Sequence, residues 1–245
     1  MPSLILRELR EQVWGANQAL VRAGLVTLSF GNASGVDRAA GVFLIKPSGV
    51  PYERLRPQDL VAVSLIDGSV VEGDMRPSSD TPTHLVLYRR FPSIGGVVHT
   101  HSTAAVGWAQ AGRSIPAFGT THADHFHGPV PVTRPLTREE VEGDYERETG
   151  EVIVATIESL GLDPVEMPAV LVAGHGPFTW GPDAEAAAEN AIALEAVAAM
   201  ATGTLALDPE VQPVGQHLLD RHYNRKQGPG AYYGQRPGAA TGGPR

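Results

Sequence analysis

Two histidines stand one residue apart in Val97-Val98-His99-Thr100-His101, just after Ile94-Gly95-Gly96. The isoleucine and valines predict a short buried strand that emerges at its C-terminal end. Residues i and i+2 of a strand point to one side, so His99 and His101 offer two imidazoles to one point. Such a pair is a chelating start for a divalent metal, or else two polar side chains filling a strand end. A third imidazole, His175 in Val172-Ala173-Gly174-His175-Gly176-Pro177, closes another apolar run. Three nitrogens from two strand ends leave a coordination position open, the pattern of a catalytic rather than a structural zinc.

Small polar residues gather where other strands end: Gly31-Asn32, Lys46-Pro47-Ser48-Gly49, and Ser78-Ser79 ahead of a helix. Hydroxyls, free backbone N–H groups and one ammonium are what a phosphate requires. Each stretch alone is an ordinary turn, and Lys46 alone is a solvated strand end; together they describe an anion pocket. Asp80 reads as a helix cap, as a carboxylate near the metal, or as both. Asp124 reads as a turn residue or as a general acid/base. His84 falls on a predicted helix and reads as structural. His122, His125 and His127 share the stretch 120–127, which is dense in titratable groups without helical amphipathicity and reads as a functional loop. His217 and His222 fall on the last predicted helix.

The elements that must position these groups follow from periodicity. Leu6, Leu9, Val13, Ala16 and Leu20 predict a helix that stops at Gly24. Strands are predicted over 25–30, running into the turn Gly31-Asn32-Ala33-Ser34, and over 41–46. The segments 60–65 and 69–72 flank Asp67-Gly68, a hairpin signal. Pro82 suits the first turn of a helix reaching Arg90, with Asp80 or Thr81 as its cap. A helix over 103–110 follows the histidine strand, and 115–119 is strand or loop. Thr137-Arg138-Glu139-Glu140 is a capping box. Helices over 151–160, 183–202 and 213–226 and a buried strand over 169–173 complete the chain. No internal repeat or linker divides it, so one α/β domain is expected over 1–235, a mixed sheet with helices on both faces, followed by a disordered tail over 236–245.

Composition narrows the function classes. The 245 residues carry a net charge of −8 and no basic block, which argues against nucleic-acid binding. With no cysteine, disulfides and thiolate metal sites are excluded, and any metal must use His, Asp or Glu. The opening Met1-Pro2-Ser3-Leu4-Ile5-Leu6-Arg7-Glu8 is charged too early for a signal peptide. No apolar run approaches membrane-spanning length on this reading, so a cytoplasmic protein is expected.

Gly31-Asn32-Ala33-Ser34, Lys46-Pro47-Ser48-Gly49-Val50, Pro77-Ser78-Ser79-Asp80-Thr81-Pro82-Thr83-His84, Gly96-Val97-Val98-His99-Thr100-His101-Ser102, Gly119-Thr120-Thr121-His122-Ala123-Asp124 and His175-Gly176-Pro177-Phe178 together resemble the class II aldolase/epimerase family. The resemblance runs in one register over about residues 5–235. Arg221-His222-Tyr223 and Ala231-Tyr232-Tyr233-Gly234-Gln235 are similar to its epimerase branch. It implies an α/β/α fold with a largely antiparallel sheet, and a homotetramer whose active sites lie between neighbouring subunits. It implies one Zn²⁺ per subunit on His99, His101 and His175, with Asp80 at the metal. It implies a phosphate pocket of Asn32, Lys46, Ser48, Gly49, Ser78 and Ser79. From the neighbouring subunit it implies Asp124 and Tyr233 as the acid/base pair, supported by Thr120, Glu146, His222 and Arg225.

The implied reaction converts L-ribulose 5-phosphate to D-xylulose 5-phosphate in pentose (L-arabinose) catabolism. The carbon inverted is not next to the ketone, so its hydrogen is not acidic. Retro-aldol opening of C3–C4, rotation of the aldehyde and re-addition achieve the inversion, with the metal as Lewis acid. The alternative is a class II sugar-phosphate aldolase that releases the fragments, for which a glutamate is expected in place of Asp80. A sugar-phosphate or zinc-binding protein without activity would need neither Asp124 nor Tyr233.

Overall fold

The computed structural model describes residues 4–228 and 231–232. Tyr233 and the expected tail over 236–245 lie outside the described residues. The elements run α1 (Leu4–Arg22), β1 (Asn32–Asp37), β2 (Val42–Ile45), β3 (Val61–Ser64), β4 (Val70–Glu72), α2 (Thr81–Arg90), β5 (Gly96–His99), α3 (Thr103–Gln110), α4 (Thr120–Ala123), α5 (Arg138–Glu142), α6 (Tyr145–Ser159), β6 (Ala169–Leu171), β7 (Pro177–Gly181), α7 (Ala184–Leu207) and α8 (Gln216–Gln227).

The strands form one seven-stranded sheet in the order β4-β3-β2-β1-β5-β7-β6. Every ladder is antiparallel, and the parallel contact is an isolated bridge between Val132 and Leu171. The largely antiparallel expectation therefore holds, with the mixed character reduced to that bridge. Side chains alternate between two cores as the pleat requires. Phe43, Ile45, Val61, Val63 and Val97 join the core that includes Leu87 of α2 and Ile153 of α6, whereas Ala33, Leu44, Ala62 and Val98 join the core that includes Val13 and Leu20 of α1. Helices cover both faces, as the α/β/α reading requires.

The hairpin at Asp67-Gly68, the strands beginning near Val42 and Gly96 and the helix over 103–110 all form. Thr137 accepts from the Glu140 N–H, and Glu140 reaches back to the Thr137 N–H, completing the capping box.

Other segments differ from expectation. Residues 25–30 make a turn, with the Phe30 N–H on Thr27 O at 3.0 Å and Leu28 at φ 56°. The carbonyls of Ser29 and Phe30 accept from the Lys46 ammonium (3.4 Å) and the Tyr52 hydroxyl (3.1 Å), so they are not available to a ladder. The strand begins instead at Asn32. Over 115–119 the backbone contributes a bridge from Ile115 to Val130. α6 starts at Tyr145 rather than at 151, and β7 follows His175, so that histidine sits in the turn between two strands. The stretch 120–127 opens with a short helix, α4. α7 corrects the expectation about apolar runs: by length and composition it could cross a membrane. Its alanines instead give it small faces that pack into both cores, Ala187 and Ala191 in one and Leu194 and Ala198 in the other.

Candidate active site

Three strands meet at one end of the sheet. Asn32 at the start of β1 is opposite His99 at the end of β5, and His99 is opposite Phe178 near the start of β7. Gly31 enters β1 at φ 76°, and a Cβ there would stand 2.7 Å from His99 O, so this close crossing requires glycine.

The three histidines converge: their ligand atoms all lie within 4.8 Å of one another. His99 is 1% exposed and stacks on Phe178 with centroids 4.3 Å apart. Its Nδ1 donates to Pro177 O at 2.9 Å, which leaves Nε2 facing His101 Nε2 at 3.0 Å. Two nitrogens bound tetrahedrally to one zinc stand about 3.3 Å apart, so the pair already has metal-binding spacing. Burial, with the neighbouring imidazoles, lowers the His175 pKa to about 4. Burial also lowers that of His101. Neutral imidazole is the ligating form, and the set fits a divalent metal.

Asp80 takes the N-cap position of α2, but its side chain makes no capping bond. Its Oδ2 accepts from Asn32 Nδ2 at 2.7 Å, and Asn32 also donates to Ser78 Oγ at 3.0 Å. Burial alone would raise the Asp80 pKa, but His99, His84 and the Asn32 donor together bring it below the usual carboxylate value. Asp80 thus stands beside the histidines, while the converging donor set consists of the three imidazoles.

Asn32, Lys46, Ser48, Gly49, Ser78, Ser79 and Asp80 line one cavity of about 380 Å³ together with His99, His101, His175, Tyr145 and Glu146. All the candidate metal and anion groups are therefore in one place. Lys46 is not a solvated strand end: it is 2% exposed, and its Nζ lies 4.7 Å from the Tyr52 ring centroid and 3.4 Å from Pro47 O. Burial lowers its pKa to about 8. A buried ammonium whose partners are carbonyls and a ring face could take an anion as a further partner.

Asp124 belongs to a second cluster and does not line this cavity. It follows α4, whose first residue Thr120 accepts the Asp124 N–H at 2.9 Å. From α8 it receives His222 Nδ1 at 3.0 Å and the Arg225 guanidinium at 3.0 and 2.8 Å. Burial would raise the Asp124 pKa, but these donors outweigh it and hold the carboxyl below its ordinary value. Glu146, expected to act with Asp124, lies instead in the histidine cavity of its own chain. Tyr145 beside it was missed because the helix was expected to begin at 151; the aromatic next to Glu146 was the available signal.

The other histidines divide by environment. His84 is fully buried on Ser34 Oγ at 2.7 Å, and burial takes its pKa to about 3, so the structural reading holds. His122 is buried and bonded to Gly128 O at 2.7 Å. His125 meets Lys226 at 2.8 Å. His127 bridges Glu166 (3.0 Å) and Asp220 of α8 (2.8 Å) and stacks on Tyr223.

Burial lowers the His127 pKa less than the two carboxylates raise it, and the net shift is upward. A His raised on folding stabilises fully below its unfolded pKa of about 6.5 and loses that contribution as pH rises through the folded value. The melting-temperature advantage of wild type over His127→Gln is therefore expected to be full below about pH 6.5 and to shrink as pH rises above it. An advantage that grew with pH would contradict the charged bridge.

Comparison with known proteins agrees with this geometry. Residues 11–202 match the family described as Class II Aldolase and Adducin N-terminal domain, and the chain belongs to that family. The fold matches L-fuculose 1-phosphate aldolase with a TM-score of 0.74 at 22% identity, covering 92% of this chain and 97% of that one. L-fuculose-1-phosphate aldolase from Thermus thermophilus aligns with a TM-score of 0.65 at 26% identity, over 84% of this chain and all of that one. Within the family the chain groups with the L-ribulose-5-phosphate 4-epimerases. The relative UlaF of Salmonella paratyphi C, so named, is 52% identical over 231 residues, 94% of this chain and 100% of the relative.

Proposed function

We propose that the protein is a zinc-dependent isomerase that interconverts L-ribulose 5-phosphate and D-xylulose 5-phosphate in the cytoplasm, as a step of pentose breakdown. The observation that carries the reading is one cavity holding three convergent imidazoles and a buried lysine that, among the described residues, has no carboxylate partner. The 52% identity to a protein named for this activity supports the substrate. Asp80, where aldolases of the family are expected to carry glutamate, favours epimerisation over release of the fragments.

His99, His101 and His175 would hold the metal. When bound, zinc supplies Lewis-acid polarisation of the substrate's carbonyl side. Lys46, Asn32, Ser48, Gly49, Ser78 and Ser79 hold the phosphate, so the aldehyde fragment stays in place while it turns. Asp124 and Tyr233 exchange the proton of the C4 oxygen, one on each face of the rotating aldehyde, as C3–C4 opens and closes. These two come from a neighbouring subunit of a homotetramer. The separation of the Asp124 cluster from the histidine cavity supports that arrangement, as does the half-exposed Phe30 ring 6.1 Å from His101 at the rim.

One product assay on L-ribulose 5-phosphate tests the reading. D-xylulose 5-phosphate is expected; free glycolaldehyde phosphate would make it an aldolase, and no turnover would end the proposal. Lys46→Met is expected to raise KM by about tenfold or more and to change kcat less, because the ammonium holds the phosphate equally in ground and transition states. An unchanged KM would remove Lys46 from the phosphate pocket.

A further inference from the structure

Tyr145 opens α6 beside the metal set. Its hydroxyl lies 3.4 Å from His175 Nδ1, and the two ring centroids are 6.2 Å apart. The position is built rather than incidental. A Cβ on Gly150 would stand 2.7 Å from Val86 Cβ, so α6 is seated tightly on α2. Thr83 Oγ1 donates to Glu146 O, and Thr149 Oγ1 donates to Tyr145 O at 2.8 Å. The helix start carrying Tyr145 is thus tied to the helix that begins after Asp80.

The proton inventory gives this hydroxyl a task. His99 sets the pattern, with Nδ1–H on Pro177 O and Nε2 toward the other imidazoles. An imidazole that offers Nε2 to a metal carries its proton on Nδ1 and gives it to a neighbouring oxygen. For His175 that oxygen is the phenol of Tyr145. Once the phenol accepts there, its own O–H is left to donate into the cavity.

The geometry points to Tyr145 as a further catalytic residue: its oxygen holds His175 with Nε2 toward the metal, and its O–H donates to the substrate's C2 oxygen. The second half rests on the epimerase reading. As C3–C4 opens, its electron pair moves through C3 onto the C2 oxygen while the C4 hydroxyl proton passes to the acid/base pair. Both return on re-addition. Tyr145 gives a hydrogen bond that strengthens as charge gathers on the C2 oxygen, and it keeps its proton throughout.

Tyr145→Phe keeps the ring and removes only the hydroxyl. Zinc affinity, measured by competition with a chromophoric chelator, is expected to fall about tenfold or more. At saturating zinc, kcat for L-ribulose 5-phosphate is expected to fall at least about tenfold with KM within about twofold. Unchanged zinc affinity overturns the hold on His175, and unchanged kcat overturns the donor role. Tyr145→Ser, whose hydroxyl is too short to reach, should match Tyr145→Phe. If only Tyr145→Ser is impaired, ring packing is the cause and the proposal fails. Wild type assayed alongside separates the two readings: no conversion there ends the epimerase assignment, while the zinc measurement, which uses no substrate, still decides the hold on His175.

Discussion

Exchange of His99 for asparagine is expected to remove bound metal and turnover together. His99 is the most enclosed of the three imidazoles, 1% exposed, stacked on Phe178 and anchored through Nδ1 to Pro177 O. Asparagine is shorter, so its amide stops short of the point that Nε2 of the histidine reaches. Two remaining nitrogens cannot make the three-ligand open site of a catalytic zinc. Zinc per chain should fall from about one to near zero, and chelation of the wild type should reproduce the loss of turnover. Full zinc occupancy in His99→Asn, by elemental analysis, would sink the ligand assignment.

Asp124→Asn is expected to lower turnover by about a hundredfold or more, the scale of a positioned acid/base, with zinc content unchanged. The substitution keeps the side chain's size beside His222 and Arg225 and removes its charge. Because the Asp124 cluster does not line the cavity of its own chain, the loss should be repairable in trans. In the proposed tetramer, with sites shared head to tail, random mixing of Asp124→Asn and His99→Asn chains would place an intact zinc set against an intact Asp124 at about one site in four. Activity near a quarter of wild type is therefore expected from two inactive parents. Purified mixed tetramers as inactive as either parent would rule out the shared site.

How much of this was legible depends on the range over which each residue finds its partners. The apolar run Val97-Val98 before His99 is local, and β5 forms over Gly96–His99; His101 lies two residues past its end, yet its ligand atom still converges with that of His99. The Thr137 capping box is equally local. Residues 25–30 have an equally good strand pattern, but the Lys46 ammonium and Tyr52 hydroxyl, far along the chain, take the carbonyls a ladder would need. Nothing near Lys46 announces its burial under Tyr52. Asp124 meets His222 and Arg225 at separations of 98 and 101 residues, so composition and periodicity had no access to that cluster, and only resemblance placed it. Tyr145 was hidden by a helix boundary, the least local feature of an amphipathic pattern.

The pairing of β5 with β7 has a further consequence for the chain as a polymer. It closes a loop from His99 to Pro177, 78 residues apart, in a protein without a single cysteine to tie it. Closing a loop of that length in an unfolded chain costs about 4.5 kcal/mol of entropy. The Val97–His101 segment alone is a bidentate chelator, and the sheet supplies the third arm at high effective concentration. The linkage is reciprocal, so an ion on the three imidazoles resists opening of the β5–β7 ladder as much as the ladder favours the ion. A metal held there would be a reversible cross-link, its grip set by the ladder's opening equilibrium as well as by its ligands.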